Sequence, residues 1–138
     1  MAALTSARMK GEPRSTGFLT LPVKGATTIY GGAQVCLDAT GYAVPGAVAT
    51  TLTTMGIAEE TVVNAGADGA KTVVVRTSAG DLDHLLENDG TNPVTIAHVG
   101  KDVYVQDDQT VCSLATGRSV AGKCTGVTSK GVYVRFPL

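Results

Sequence analysis

The sequence predicts a mainly β domain: a compact β-barrel or sandwich-like body of two similar β-units, with a short helical turn near residues 95–100 and an extended N-terminal arm. Three observations lead there. The apolar residues come in short runs rich in Val and Thr, which suit a pleated, half-buried surface better than a helix. Turn formers separate those runs at close intervals. The order of runs and turns also repeats once along the chain.

The elements follow in order. Residues 1–17 carry Arg8, Lys10 and Arg14 with Gly11 and Pro13 but show no periodic apolar pattern, so they read as a flexible arm, either an ordinary disordered terminus or a segment that orders by lying along a partner. The remaining 18–138 read as one β-rich domain. Its first strand is marked by Phe18, Leu19, Leu21 and Val23, with Pro22 confining it to an edge or to its own end. Gly31 and Gly32 precede a strand over Ala33–Leu37, and Asp38–Gly41 is a tight turn before Tyr42–Val44. Ala47–Thr54 reads as a strand from its Thr and Val content, and another strand starts at Gly56. The turn Asn64–Gly69 leads into Thr72–Arg76, TVVVR, the cleanest strand of the chain.

Asp81–Gly90 allows two readings, because Leu82, Leu85 and Leu86 fall at helical spacing while His84–Leu86 also suits a strand. In Thr95–Gly100 a capping Thr and a terminating Gly bracket one helical turn. Lys101 opens a strand through Val103, Tyr104 and Val105, and Gln106–Gln109 supplies a polar turn. Thr125–Gly131 reads as a hairpin-like connection into Val132–Phe136, whose buried face alternates with Tyr133 and Arg135.

The repeat sets Gly31–Asp38 (GGAQVCLD) beside Gly100–Asp107 (GKDVYVQD), and MGIA with VVVR beside AGKC with YVR. It divides the domain into half-repeats of about 26–80 and 94–138.

Composition narrows the chemistry. With 138 residues, one core is expected, burying roughly two-thirds of the unfolded surface. A net charge of −1 gives no basic field, so nucleic acid is not an expected partner. The longest apolar run falls short of a membrane span and of a secretory signal core, so neither membrane nor export by that route is expected. Cys36, Cys112 and Cys124 are odd in number and widely spaced, as buried free thiols are, and fit neither a disulfide framework nor a zinc site.

The carboxylates Asp81, Asp83, Glu87, Asp89, Asp102, Asp107 and Asp108 lie mostly in turns where Asp caps its own backbone. His84 and His98 lack metal-ligand spacing, and no phosphate loop or nucleophile elbow is present. No metal, cofactor, small-molecule substrate or catalytic residue is therefore expected.

The run VGKDVYVQDDQTV at Val99–Val111, then TGRSVAGK from Thr116, then GVYVRFP at Gly131–Pro137, resembles the capsid decoration, or structural cement, proteins of tailed bacteriophages. That resemblance implies a non-enzymatic homotrimer on the outer surface of the virion, assembled in the bacterial host cytoplasm, that bridges major capsid subunits. It also implies that the arm clamps the shell through Arg8, Lys10, Arg14, Phe18 and Leu19. Two other readings are a β-rich carbohydrate- or host-surface-binding module on a phage head, and a small enzyme with a cysteine nucleophile.

Overall fold

In a computed structural model, the structure describes residues 2–7 and 14–138. The chain is almost entirely strand and turn. In order it forms β1 (Phe18–Pro22), β2 (Thr27–Ile29), β3 (Gln34–Leu37), β4 (Ala43–Pro45), β5 (Thr53–Ala58), β6 (Val62–Asn64), β7 (Thr72–Arg76) and β8 (His84–Asn88). One 3-10 turn (Ile96–His98) follows, then β9 (Asp102–Val105), β10 (Thr110–Cys112), β11 (Val120–Thr128) and β12 (Gly131–Arg135). Within Asp81–Gly90, His84–Asn88 resolves as strand. Its helical spacing loses because Leu86 alone of the three leucines is buried, pointing inward against Val132.

The two halves share one strand order. The first unit is a five-stranded sheet ordered β1-β7-β5-β3-β4, and the second is a closed barrel ordered β8-β12-β11-β9-β10. Each strand of one therefore has a counterpart in the other. Gly32 N–H donates to Ala58 O at 2.8 Å and Gly100 N–H to Cys124 O at 2.7 Å, with Ala58 and Cys124 returning bonds to Ala33 O and Lys101 O, both at 2.9 Å. Gly32 and Gly100 have φ of 88° and 83°, a region where other residues are strained. The counterpart of Gly100 is thus Gly32, not Gly31, so the repeat read from sequence is one residue out of register in this strand. A single-residue slip exchanges the faces of a strand: correctly aligned, Val35 matches Val103, and both are fully buried.

The seams of the two units differ. In the second, β8 and β10 run parallel, with Glu87 N–H donating to Gln109 O at 2.8 Å and Asp89 N–H to Val111 O at 3.0 Å. In the first, the edges meet at one parallel bridge, Val23 to Ala43, with Lys24 N–H donating to Ala43 O at 3.1 Å. Leu21 faces Val73 as Leu86 faces Val132, so Pro22 occupies the place of Glu87. Proline has no N–H to give, and the second seam bond is missing for that reason.

Two expectations fail in detail. Ala47–Thr54 is strand only from Thr53, because Ser119 takes over its backbone groups: Ser119 Oγ donates to Ala49 O at 2.7 Å and accepts from Leu52 N–H at 3.1 Å. Thr125–Thr128 belongs to β11 rather than to a connection, since the strand pairs with β12 through a bulge at Thr125 and turns only at Ser129 and Lys130. The turn at Thr95 is present, but His98 supplies an acceptor, with Thr95 N–H donating to His98 Nδ1 at 2.9 Å. The two-stranded sheet β2-β6 has no clear signal in the sequence.

The turn after β3 is locked by one carboxylate. Asp38 Oδ1 accepts from Thr40 Oγ1 at 2.7 Å, Thr40 N–H at 2.9 Å and Tyr42 N–H at 3.1 Å, while Oδ2 meets Lys24 Nζ at 3.3 Å. The Thr40 hydroxyl, followed by the Tyr42 amide, holds the Asp38 carboxyl far below its ordinary value of 3.8. A folded-state pKa below the unfolded one stabilises above the unfolded value, and that contribution fades as pH falls below it. Asp38→Ala should therefore melt below the parent protein at pH 6, and the gap between the two melting temperatures should narrow on acidification below about pH 4, where unfolded Asp protonates. A gap that stays constant across that range would show that the carboxylate does not hold this turn.

Candidate interaction surface

The first unit presents the N-terminal segment at its outer edge. Arg8 and Lys10 lie outside the described residues, and Arg14 is exposed. The chain is tied down just after it: Thr77 Oγ1 donates to Thr16 O at 2.7 Å, and Thr77 N–H to Gly17 O at 2.9 Å. From there β1 pairs antiparallel with β7 over its whole length. Strand alternation separates the next two residues. Leu19 is turned inward at 8% exposure, opposite Val75, so its side chain is committed to the core and cannot meet a partner. Phe18 points out at 54% exposure, with the Arg76 guanidinium 4.5 Å from its ring centre. This cation–π contact holds an apolar ring at the surface.

The second unit answers with charge. Arg135 occupies the place of Arg76, and Asp83 that of Phe18. Arg135 Nε donates to Asp83 Oδ1 at 2.9 Å, and Thr125 Oγ1 donates to Asp83 Oδ2 at 2.9 Å. Partial burial works to raise the Asp83 pKa, but these hydrogen bonds and the Arg135 charge outweigh it and hold the carboxyl below its ordinary range. Of the residues read from sequence, Phe18 and Leu19 lie on the edge strand β1 with their side chains on opposite faces, and Arg14 is exposed in the chain before it.

The remaining reactive groups are used structurally. Cys36, Cys112 and Cys124 are free and fully buried, and burial pushes all three thiols up. A thiol with a raised pKa carries little thiolate, the form that attacks. Asp102 pairs with Lys123 at 2.8 Å, Asp89 accepts from Asn92 N–H, and Asp107 from Gln109 N–H. His84 Nε2 lies 3.1 Å from Thr77 O, beside the Phe136 ring. Among the described residues no three His, Cys, Asp or Glu side chains gather as a metal ligand set, and no helix is long and apolar enough to cross a membrane.

Sequence reasoning missed a set of buried polar residues joining the units. Gln34 is fully buried, and its Nε2 donates to Asp107 O at 2.6 Å and to Thr110 O at 3.1 Å. Thr54 Oγ1 donates to Val120 O at 2.9 Å, and Phe136 N–H donates to Ser78 Oγ at 2.8 Å. It also missed a shallow recess of about 350 Å³ on the second unit, lined by Val120, Gly122, Phe136 and Pro137 and rimmed by Lys123 and Arg135. An available signal was β-alternation: Gln34 and Cys36 fall on the outer face of a strand whose inner face is Val35 and Leu37. Comparison of the chain with protein-family models, curated proteins and solved structures finds no match.

Proposed function

We propose that this protein is a non-enzymatic decoration protein of a bacteriophage capsid, which self-associates, as a homotrimer by resemblance, and bridges major capsid subunits on the outer shell. The observation that carries this reading is the ordered set of segments from Val99 to Pro137, which resembles such proteins and spans four of the five strands of the closed barrel. Two further features support it. The three thiols, both histidines and most of the candidate carboxylates are held in structural contacts, and exposed residues 14–16 lead into the domain next to an outward-facing aromatic ring. A clamp combines a rigid body with an extension that lies along a second surface. Repetition over many equivalent sites turns weak single contacts into strong retention.

Truncation tests the clamp. Removing residues 1–15 leaves Thr16 O and Gly17 O to accept from Thr77, so the β-domain keeps its anchoring bonds. The truncated protein should unfold as the full chain does and lose shell binding by about two orders of magnitude, the scale on which linked contacts contribute. Co-sedimentation with expanded shells of the source phage is the measurement. Unchanged binding by the folded truncation would remove the arm from the mechanism, and failure of the full chain to co-sediment would remove the decoration reading itself.

A further inference from the structure

The two units share a strand order, yet the same face is treated oppositely in each. On the first unit the outer face of β3 and β5 is covered: Gln34 and Cys36 are fully buried, Thr54 is 1% exposed, and Ser78, just past β7, is 4% exposed. The cover is the second unit. Its β9–β10 connection receives Gln34, with Gln34 N–H donating to Asp108 O at 2.7 Å in addition to the two side-chain bonds. The start of β11 receives Thr54, and Leu138 O accepts from Ser78 N–H at 2.8 Å.

On the second unit the matching positions are Asp102, Tyr104, Val120 and Pro137. None is buried, and Val120 is 40% exposed. Three of the four line the recess described above. The connection that does the covering also has a counterpart, the Asp38 turn of the first unit, where Ala39, Thr40 and Gly41 are exposed. Each chain thus carries one uncovered receiving face on the second unit and one unused covering turn on the first.

We infer that a second copy of this chain docks its Ala39–Gly41 turn on the Val120 recess, repeating between chains the contact that the two units make within one. This rests on the self-association in the reading above and names its surface. The contact is head-to-tail, so it closes into a ring where the rotation allows and otherwise propagates. It is weaker than its internal counterpart for a stated reason. Asp102 stands where Gln34 would donate and is held by Lys123 at 2.8 Å, so the docked turn gains apolar burial on Val120 and Pro137 without the two amide bonds. Association is therefore reversible and concentration-dependent.

A head-to-tail contact has a signature that a symmetric one lacks. Val120→Arg places an unpaired charge in the receiving face, and Ala39→Arg blocks the covering turn; both side chains are exposed, so each variant keeps the parent fold by circular dichroism. Each alone should lose association by roughly thirtyfold, the scale of a hot-spot substitution. Mixed in equal amounts they should form a one-to-one heterodimer, since one retains a sound turn and the other a sound recess; native mass spectrometry separates the species. Pro137→Arg is a second receiving-face variant should Val120→Arg fail to fold.

A parent chain that is monomeric at high micromolar concentration overturns the proposal. So do single variants that associate like the parent, or a mixture that stays monomeric. A monomeric chain that still binds shells overturns this interface and leaves the decoration reading standing; a self-associating chain that ignores shells does the reverse.

Discussion

Gly122→Ala is expected to destabilise the protein by about 3 kcal/mol or more, and Gly56→Ala by nearly as much. Both glycines sit in the strand after a bulge, where one strand crosses closely over its neighbour. At Gly122 a Cβ would overlap the Arg135 carbonyl oxygen, 2.9 Å from its carbon and 3.0 Å from Val134 Cγ1. At Gly56 it would overlap the Arg76 carbonyl oxygen, 2.8 Å from its carbon and 2.9 Å from Val75 Cγ1. In each case the obstacle is backbone belonging to a paired strand, which cannot swing aside as a side chain would.

Overpacking of a core costs about 1–3 kcal/mol when side chains can adjust. A rigid carbonyl places these two at or above the top of that range, against a total stability of about 5–15 kcal/mol. Gly90→Ala is the control: nothing lies within 4 Å of its added Cβ, so its cost should stay within about 0.5 kcal/mol. Urea unfolding of the three variants checks the ranking. A Gly122→Ala protein as stable as Gly90→Ala would mean that the strands do not cross this closely.

The pair Gly56 and Gly122 also shows what the sequence could tell. MGIA and AGKC were readable as a repeat because a close crossing admits only glycine, and the same constraint acts twice. Strands such as Thr72–Arg76 were legible because alternation and β-branching agree there. Legibility ended where a residue answers to the other unit. Ala47–Leu52 has strand composition, yet Ser119, far along the chain, takes its backbone groups. Gln34 and Cys36 sit among strand residues of mixed polarity, and only the arrival of the second unit makes their face an interior. The candidate surface was legible in part, since the arm and Phe18 stand out by composition, whereas Leu19 needed the strand's register to be turned inward. The recess needed the fold, because Val120, Gly122 and Pro137 are unremarkable until β11 and β12 are side by side.

Gln34→Ala should cost about 2–4 kcal/mol, the largest loss expected of any polar residue between the units. Its amide donates to two carbonyls, Asp107 O and Thr110 O; truncation opens a small void and takes from Asp107 O its donor, while Thr110 O keeps the Gln106 N–H at 3.0 Å. Gly46 closes that site from one side, approaching so near that an added Cβ would stand 2.9 Å from Gln34 Cγ, so the surroundings cannot collapse without moving backbone. Thr54→Val, which removes the bond to Val120 O and the weak contact with Cys36 Sγ at 3.5 Å, should cost only about 1 kcal/mol. Gln34→Glu separates donation from shape. The ionised side chain keeps the volume but turns oxygens toward two carbonyl oxygens, so it should be worse than alanine at neutral pH. Protonation restores a donor and removes the buried charge, so the deficit of Gln34→Glu should shrink as pH falls. That trend runs opposite to the acid loss expected of the Asp38 turn, which lets the two be told apart in one set of melts. A Gln34→Glu deficit independent of pH, together with a Gln34→Ala cost below about 1 kcal/mol, would show that the units are joined by apolar packing around Cys36, Val44, Leu52 and Ile57 alone.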